Sequence, residues 1–153
     1  MLMAGEDYEI VRIPTSSIPN YITNDLKEMT QALKKGNCND SYYTEEHILL
    51  GDKSFCDIDI PISIKYNNNI YTIVYTGKLY NLDELKNDLI CNDFHFETNS
   101  DIEILLKAFI HYGYDVITHL NGLFSFAIWN KEKQELFIAR DHFGIKPFYY
   151  SVL

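Results

Sequence analysis

Cysteine is scarce in this sequence: Cys38, Cys56 and Cys91 are the only three, far apart and without a Cys-x-x-Cys pair. An odd, scattered set excludes a disulfide framework and a structural zinc site, and fits a reduced, cytoplasmic setting. Basic residues are few as well. There are 13 Lys and Arg against 22 Asp and Glu, a formal net charge of −9. Nucleic-acid backbones and anionic membranes both need a basic face, so neither is an expected partner. No apolar run approaches the roughly 20 residues of a membrane span. The opening MLMAGEDYEIVR carries acids early and lacks the basic-then-apolar layout of a signal peptide. The 5 His stand apart without metal-ligand spacing, and the 7 Gly form neither G-x-G-x-x-G nor a P-loop. No metal or nucleotide cofactor is therefore expected in this chain.

What the chain does have is apolar and aromatic mass. Hydrophobic residues make up 46%, with 12 Tyr and 9 Phe, the composition of one globular domain spanning 1–153. In an acidic chain these rings are expected to pack layers rather than stack on bases. Tyr8–Ile13 reads as a short strand and Pro14–Pro19 as a loop. Thr23–Lys35 reads as a helix with Leu26, Met29, Thr30 and Leu33 on one stripe and Gly36 as its stop. Gly36–Glu46 is polar and loop-like. Strands are expected at His47–Leu50 and Pro61–Tyr66, then a turn at Asn67–Asn69 and a strong strand at Ile70–Thr76. Asn81 is positioned to cap a short helix with Glu84 reaching back.

Ser100–Tyr112 is the best helix pattern. Ser100 caps it, Glu103 completes a capping box, and Ile102, Leu105, Leu106, Phe109 and Ile110 share a face before Gly113. Leu123–Trp129 is apolar on both alternating faces, so it must be covered on both sides. Asn130–Gln134 turns the chain and Leu136–Ala139 returns beside it. Hairpins and two-sided strands predict a layered α+β fold with antiparallel sheets.

Four segments occur in order and at close spacing: IVYTGKLYNLDEL (73–85), FETNSDIEILLKAF (96–109), LNGLFSFAIWN (120–130) and LFIARDHFGIKPFYY (136–150). Together they resemble the glutaminase domain of glutamine-dependent asparagine synthetases, a class II glutamine amidotransferase domain, over about Gly36 to Tyr150. The resemblance implies the N-terminal-nucleophile hydrolase fold, a four-layer αββα sandwich of two antiparallel sheets. It implies a partner synthetase domain, in cis or in trans, to which ATP and Mg would belong. It also implies glutamine as a ligand. A second copy of the chain is a further expected partner. The segment Arg140–Tyr150, with Arg140, Asp141, Gly144, Lys146 and Pro147, falls where such enzymes join the two domains.

In that family a cysteine at the mature N-terminus attacks the amide carbon and its free α-amino group moves the proton. Here Leu2 stands at the nucleophile position and has no nucleophilic atom. Cys38 and Cys56 lack a basic neighbour in sequence and cannot supply an α-amino group from their own residue. The family's Asn-Gly, which forms the oxyanion hole, falls on Thr76-Gly77. The family's Arg-Gly-Pro-Asp loop falls on Lys35-Gly36-Asn37-Cys38, which keeps only the Gly. The Arg that grips the glutamine α-carboxylate falls near Ser54, or on Lys53 with a shift, and a Lys lacks the bidentate fork. Asp101 matches the acid that binds the α-amino group, although Asp in a first helical turn is also favoured by the helix dipole alone. His142 beside Asp141 suggests a general base, but a structural turn is the preferred reading. The expectation is a glutaminase-like domain without glutamine hydrolysis. The alternatives are an active amidohydrolase using Cys38 or Cys56, and an amino-acid sensor built on Asp101 and Gly77.

Overall fold

The computed structural model describes residues 8–12, 28, 39–45, 48–54 and 62–148. The Pro14–Pro19 loop, Leu2, Cys38 and Cys56 lie outside them. So does the expected helix at 23–35, except for Glu28, which is helical.

Among the described residues, seven strands form two antiparallel sheets. The large sheet contains β1 (Tyr8–Arg12), β4 (Ile62–Tyr66), β5 (Asn69–Leu79), β6 (Gly122–Asn130) and β7 (Glu135–Arg140), in the order β1-β7-β6-β5-β4. The small sheet pairs β2 (Asn39–Glu45) with β3 (Ile48–Ser54). Helix α1 spans Leu82–Cys91, α2 spans Asp101–Tyr112, and a 3₁₀ turn follows at Gly113–His119. The fold is α+β with antiparallel sheets, as the sequence predicts.

The local reasons are visible at each joint. The β4–β5 hairpin turns on Asn67 (φ 47°) and Asn68 (φ 64°), and Asn tolerates this left-handed geometry that matches sheet twist. Ser100 Oγ accepts the N–H of Glu103 at 3.2 Å, capping α2. Gly113, at φ 63°, ends it. Two expectations need correction. Residues 39–45 form a strand, not part of a loop from 36 to 46: the β-prone Tyr-Tyr-Thr triplet finds an antiparallel partner in residues 48–54. Asn81 makes no side-chain cap on α1. Its side chain is taken by the segment leading into β6, donating to His119 O at 2.9 Å and accepting from Asn121 N at 3.0 Å.

Register and alternation separate the two faces of the large sheet. On one face Tyr71 and Phe137 meet Phe109 of α2, and Phe126 packs against Phe137. The Phe109–Phe137 centroids are 5.1 Å apart and the Tyr71–Phe109 centroids 6.2 Å. The other face carries Thr72, Val74 and Thr76 on β5 and Ser125, Ala127 and Trp129 on β6. Here the small sheet joins it: buried Trp129 donates its indole N–H to Glu45 at 2.8 Å. Residues 124–130 are all buried, as a strand covered on both sides requires.

Candidate functional site

The candidate residues of β5 lie where the large sheet changes width. Thr76 is paired with Ser125, and Ser125 with Arg140, the last residue of β7. β1 begins one step earlier, with Tyr8 opposite Ala139. Among the described residues, β5 and β6 continue alone beyond this row, through Gly77↔Phe124 and Lys78↔Leu123 to Leu79↔Gly122. The overhang forms a ledge, with half-buried Thr76 and exposed Lys78 on its inter-sheet face.

Gly77 is required there by sterics. Its φ is +140°, and a Cβ on it would sit 2.2 Å from Leu123 O and 2.7 Å from Phe124 Cα. Such distances are impossible for any side chain, so the backbones of β5 and β6 approach closely only because residue 77 has none. Asp101 opens α2 directly after the Ser100 cap. It is close enough to β5 for its charge to act on Tyr75, whose phenol pKa is raised first by burial and then by Asp101. Among the described residues the buried Tyr75 hydroxyl has no hydrogen-bond partner of good geometry, although the Leu79 backbone lies near enough to oppose that rise. The structure therefore brings Thr76, Gly77 and Asp101 to one stretch of β5. Asp101 lies on the helix face, Thr76 faces the small sheet, and Gly77 separates them with no side chain of its own.

The segment after β7 is a clamped turn. Buried Asp141 donates its N–H to Phe124 O at 2.8 Å, and its carboxylate accepts from Ile145 N and Lys146 N, each at 3.0 Å. Burial pushes this carboxyl's pKa up, but the amide donors outweigh burial and hold it below the ordinary range. Gly144, at φ +61°, lies under the Arg140 guanidinium, whose Cζ is 3.3 Å from where a Cβ would stand. Asp141 thus holds the turn from inside and is not on its surface. Pro147 is exposed, while Phe143 is 86% exposed and Ile145 55%. His142, also exposed, sits on the turn.

Sequence reasoning missed Ser125. It is 1% exposed and its hydroxyl has no hydrogen-bond partner among the described residues. The signal was a lone Ser in the otherwise apolar run Leu123–Trp129. Among the described residues, no group of three His, Cys, Asp or Glu is placed to hold a metal ion. No helix of the described residues is long and apolar enough to cross a membrane.

Two antiparallel sheets, with helix α2 covering one face of the larger, define a layered α+β domain. Comparison with known proteins gives the family. A family profile described as "Glutamine amidotransferase domain" matches residues 12–153, and the chain belongs to that family. It is the glutamine amidotransferase type of domain found in asparagine synthetase-type proteins. It is 39% identical over 132 residues to asparagine synthetase [glutamine-hydrolyzing] 3 of Bacillus subtilis, covering 82% of this chain and 22% of that protein. Asparagine synthetase [glutamine-hydrolyzing] 1 of the same organism is 37% identical over 134 residues, covering 84% of this chain and 21% of that protein. The chain thus spans about a fifth of the length of these relatives. Among solved structures, the glutamine phosphoribosylpyrophosphate amidotransferase from B. subtilis is similar at TM-score 0.47 and 18% identity, over 60% of this chain and 27% of that one.

Proposed function

We propose that this domain binds glutamine without hydrolysing it and works beside an ATP-dependent, amide-forming synthetase domain, in cis or in trans. The observation that carries the reading is Thr76. It stands beside a sterically fixed Gly77, where the family resemblance places a carboxamide. Its hydroxyl is too short to take over that carboxamide's reach. Losing one oxyanion donor costs about 10²–10³ in rate. The resemblance puts Leu2, without a nucleophilic atom, at the attacking position. Asp101 stays available for a ligand amino group. The turn at residues 140–147, with Phe143 and Ile145 outward, is the docking segment in this reading. ATP and Mg belong with the synthetase partner, this chain needs no cofactor of its own, and the setting is the cytoplasm.

A second reading keeps the domain active, releasing ammonia for asparagine synthesis. The relatives' names, which state glutamine hydrolysis, favour it. One assay separates the two: glutamate release from L-glutamine by the purified chain, over hours, against a no-protein control. The expected result is no release above the control. Steady turnover overturns the proposal, and Cys38 and Cys56 are then the first residues to replace.

A further inference from the structure

At the end of β5 far from Gly77, α2 and the large sheet leave a partly enclosed cavity of about 160 Å³. Strand pairing builds its floor. Tyr71 of β5, Asn130 of β6 and Glu135 of β7 stand opposite one another in one row, and Ile128 and Phe137 lie in a row further in on the same face. Phe109 and Ile110 of α2, with Gly113 and Tyr114 after it, close the space from the helix side. Much of the wall is aromatic: Phe109 stacks on Phe137 with centroids 5.1 Å apart, and Tyr71 meets Phe109 edge-on at 6.2 Å. A cavity of roughly 150 Å³ holds one benzene ring, so this one has room for a single six-membered ring.

Two polar side chains enter this aromatic wall side by side. Asn130 is only 5% exposed. Its Oδ1 accepts from Asn69 Nδ2 at 2.7 Å and from Lys133 N at 3.0 Å. Two donors on one atom fix which end of the amide is the oxygen. The Nδ2 group then has no acceptor among the described residues, although buried donors are ordinarily paired. An Asp would accept the same two bonds, so the fold uses the oxygen and leaves the NH₂ over. Across from it, Glu135 brings a carboxylate whose Oε2 accepts the Tyr114 hydroxyl at 2.6 Å. Directly paired residues on neighbouring strands hold their Cβ atoms about 5 Å apart. A donor and an acceptor at that spacing match the C=O and N–H of a cis amide edge.

We propose that this cavity is a binding site for a small planar ring with a cyclic amide edge, a ring C=O beside a ring N–H. The ring lies among Tyr71, Phe109 and Phe137. Asn130 Nδ2 donates to its carbonyl, and the Glu135 carboxylate accepts from its N–H. Tyr71 and Gly77 stand at opposite ends of the same stretch of β5, about 20 Å apart at the rise of a strand. The site is therefore separate from the glutamine reading above and does not rest on it.

The test is titration of the 153-residue chain with 2-pyridone, one ring with that edge, and with benzene, the ring without it, followed by proton–nitrogen NMR. 2-Pyridone is expected to give a saturable shift of the Asn130 side-chain NH₂ signals and of the Gly113 and Glu135 backbone amides. Benzene is expected to bind at least about tenfold more weakly, because it leaves both polar groups unpaired. Asn130→Asp keeps the acceptor for Asn69 and Lys133 but removes the donor, and is expected to weaken 2-pyridone about tenfold while leaving benzene unchanged. Should the added charge beside Glu135 unfold that variant, Ile110→Phe decides. Ile110 is half-buried on the cavity wall, and the larger side chain fills the space, so both rings lose their binding while the unligated thermal midpoint holds. No shift at the cavity residues overturns the inference. Equal affinity for 2-pyridone and benzene overturns the amide-edge assignment. Undiminished 2-pyridone binding in Ile110→Phe overturns it too, by placing the ring elsewhere.

Discussion

At the scale of single residues, two glycines with positive φ have different reasons for being glycine. Gly77 has both an unfavourable φ and no room, since a Cβ would lie 2.2 Å from a carbonyl oxygen. Gly113 has φ +63° and nothing within 4 Å of a Cβ. Its ψ of −136° lies outside the left-handed helical well, in a region that side chains avoid, so Gly113→Ala is expected to cost that backbone strain alone, about 1–3 kcal/mol. Gly77→Ala must also push β5 and β6 apart and is expected to cost about 3 kcal/mol or more. Denaturant midpoints of the two variants check this, and equal losses would contradict the steric account. The sequence allowed Gly77 to be read as an oxyanion-hole residue through family resemblance alone. Its steric necessity was invisible there, because the close approach is to a strand more than 40 residues away. The buried Ser125 hydroxyl, without a partner among the described residues, was hidden for the same reason: satisfaction of a polar group depends on neighbours that only the fold supplies.

At the scale of elements, legibility followed the locality of the signal. The ends of α2, the hairpin asparagines and the two-sided strand β6 are set by residues within a few positions of one another, and they appear where expected. The cap of α1 failed because Asn81 is recruited by residues 38 and 40 positions on. The capping box of α2 formed only in half. Ser100 caps, but the Glu103 carboxylate reaches past it to Glu97 N (2.9 Å), Thr98 N (2.7 Å) and Thr98 Oγ1 (2.6 Å), with Lys107 at 2.5 Å. This hub ties the segment leading into α2, and so the placement of Asp101, to the helix. Burial works to raise the Glu103 pKa, but Lys107, the Thr98 hydroxyl and the two amides outweigh it and bring the pKa down to about 2 from 4.5. The folded carboxyl thus binds fewer protons than the unfolded one in that window. Its stabilisation is complete above about pH 4.5 and is lost as pH falls toward 2. After allowance for solvent near the pair it is worth on the order of 1–3 kcal/mol. Glu103→Gln is expected to lower the unfolding free energy by that amount at pH 7 and by much less at pH 3. A difference independent of pH would show that the carboxylate charge is not what the hub uses.

At the scale of the whole molecule, charge and apolar surface oppose each other. A net charge of −9 makes copies of the chain repel at low ionic strength. The turn after β7 does the reverse. Asp141 fixes its backbone from within, and Phe143 and Ile145 stand outward, 86% and 55% exposed. A rigid apolar pair costs little entropy to dock, because the backbone is already ordered, and solvent-exposed apolar side chains on a clamped turn favour a covering partner. For the isolated chain, weak self-association is therefore expected to strengthen as salt screens the repulsion, since the Debye length shrinks from about 30 Å at 0.01 M to about 8 Å at 0.15 M. Sedimentation velocity across that salt range measures it. Phe143→Ser with Ile145→Ser is expected to abolish the salt-dependent association and to leave stability within about 0.5 kcal/mol, as for surface positions without buried partners. Association that persists in the double variant would place the sticky surface elsewhere, with exposed Tyr80 and Ile90 the next to replace. Asp141→Ala gives the opposite dissection. It leaves the apolar pair in place but frees the amides of Ile145 and Lys146, so their hydrogen exchange should quicken and docking should weaken although no outward residue has changed.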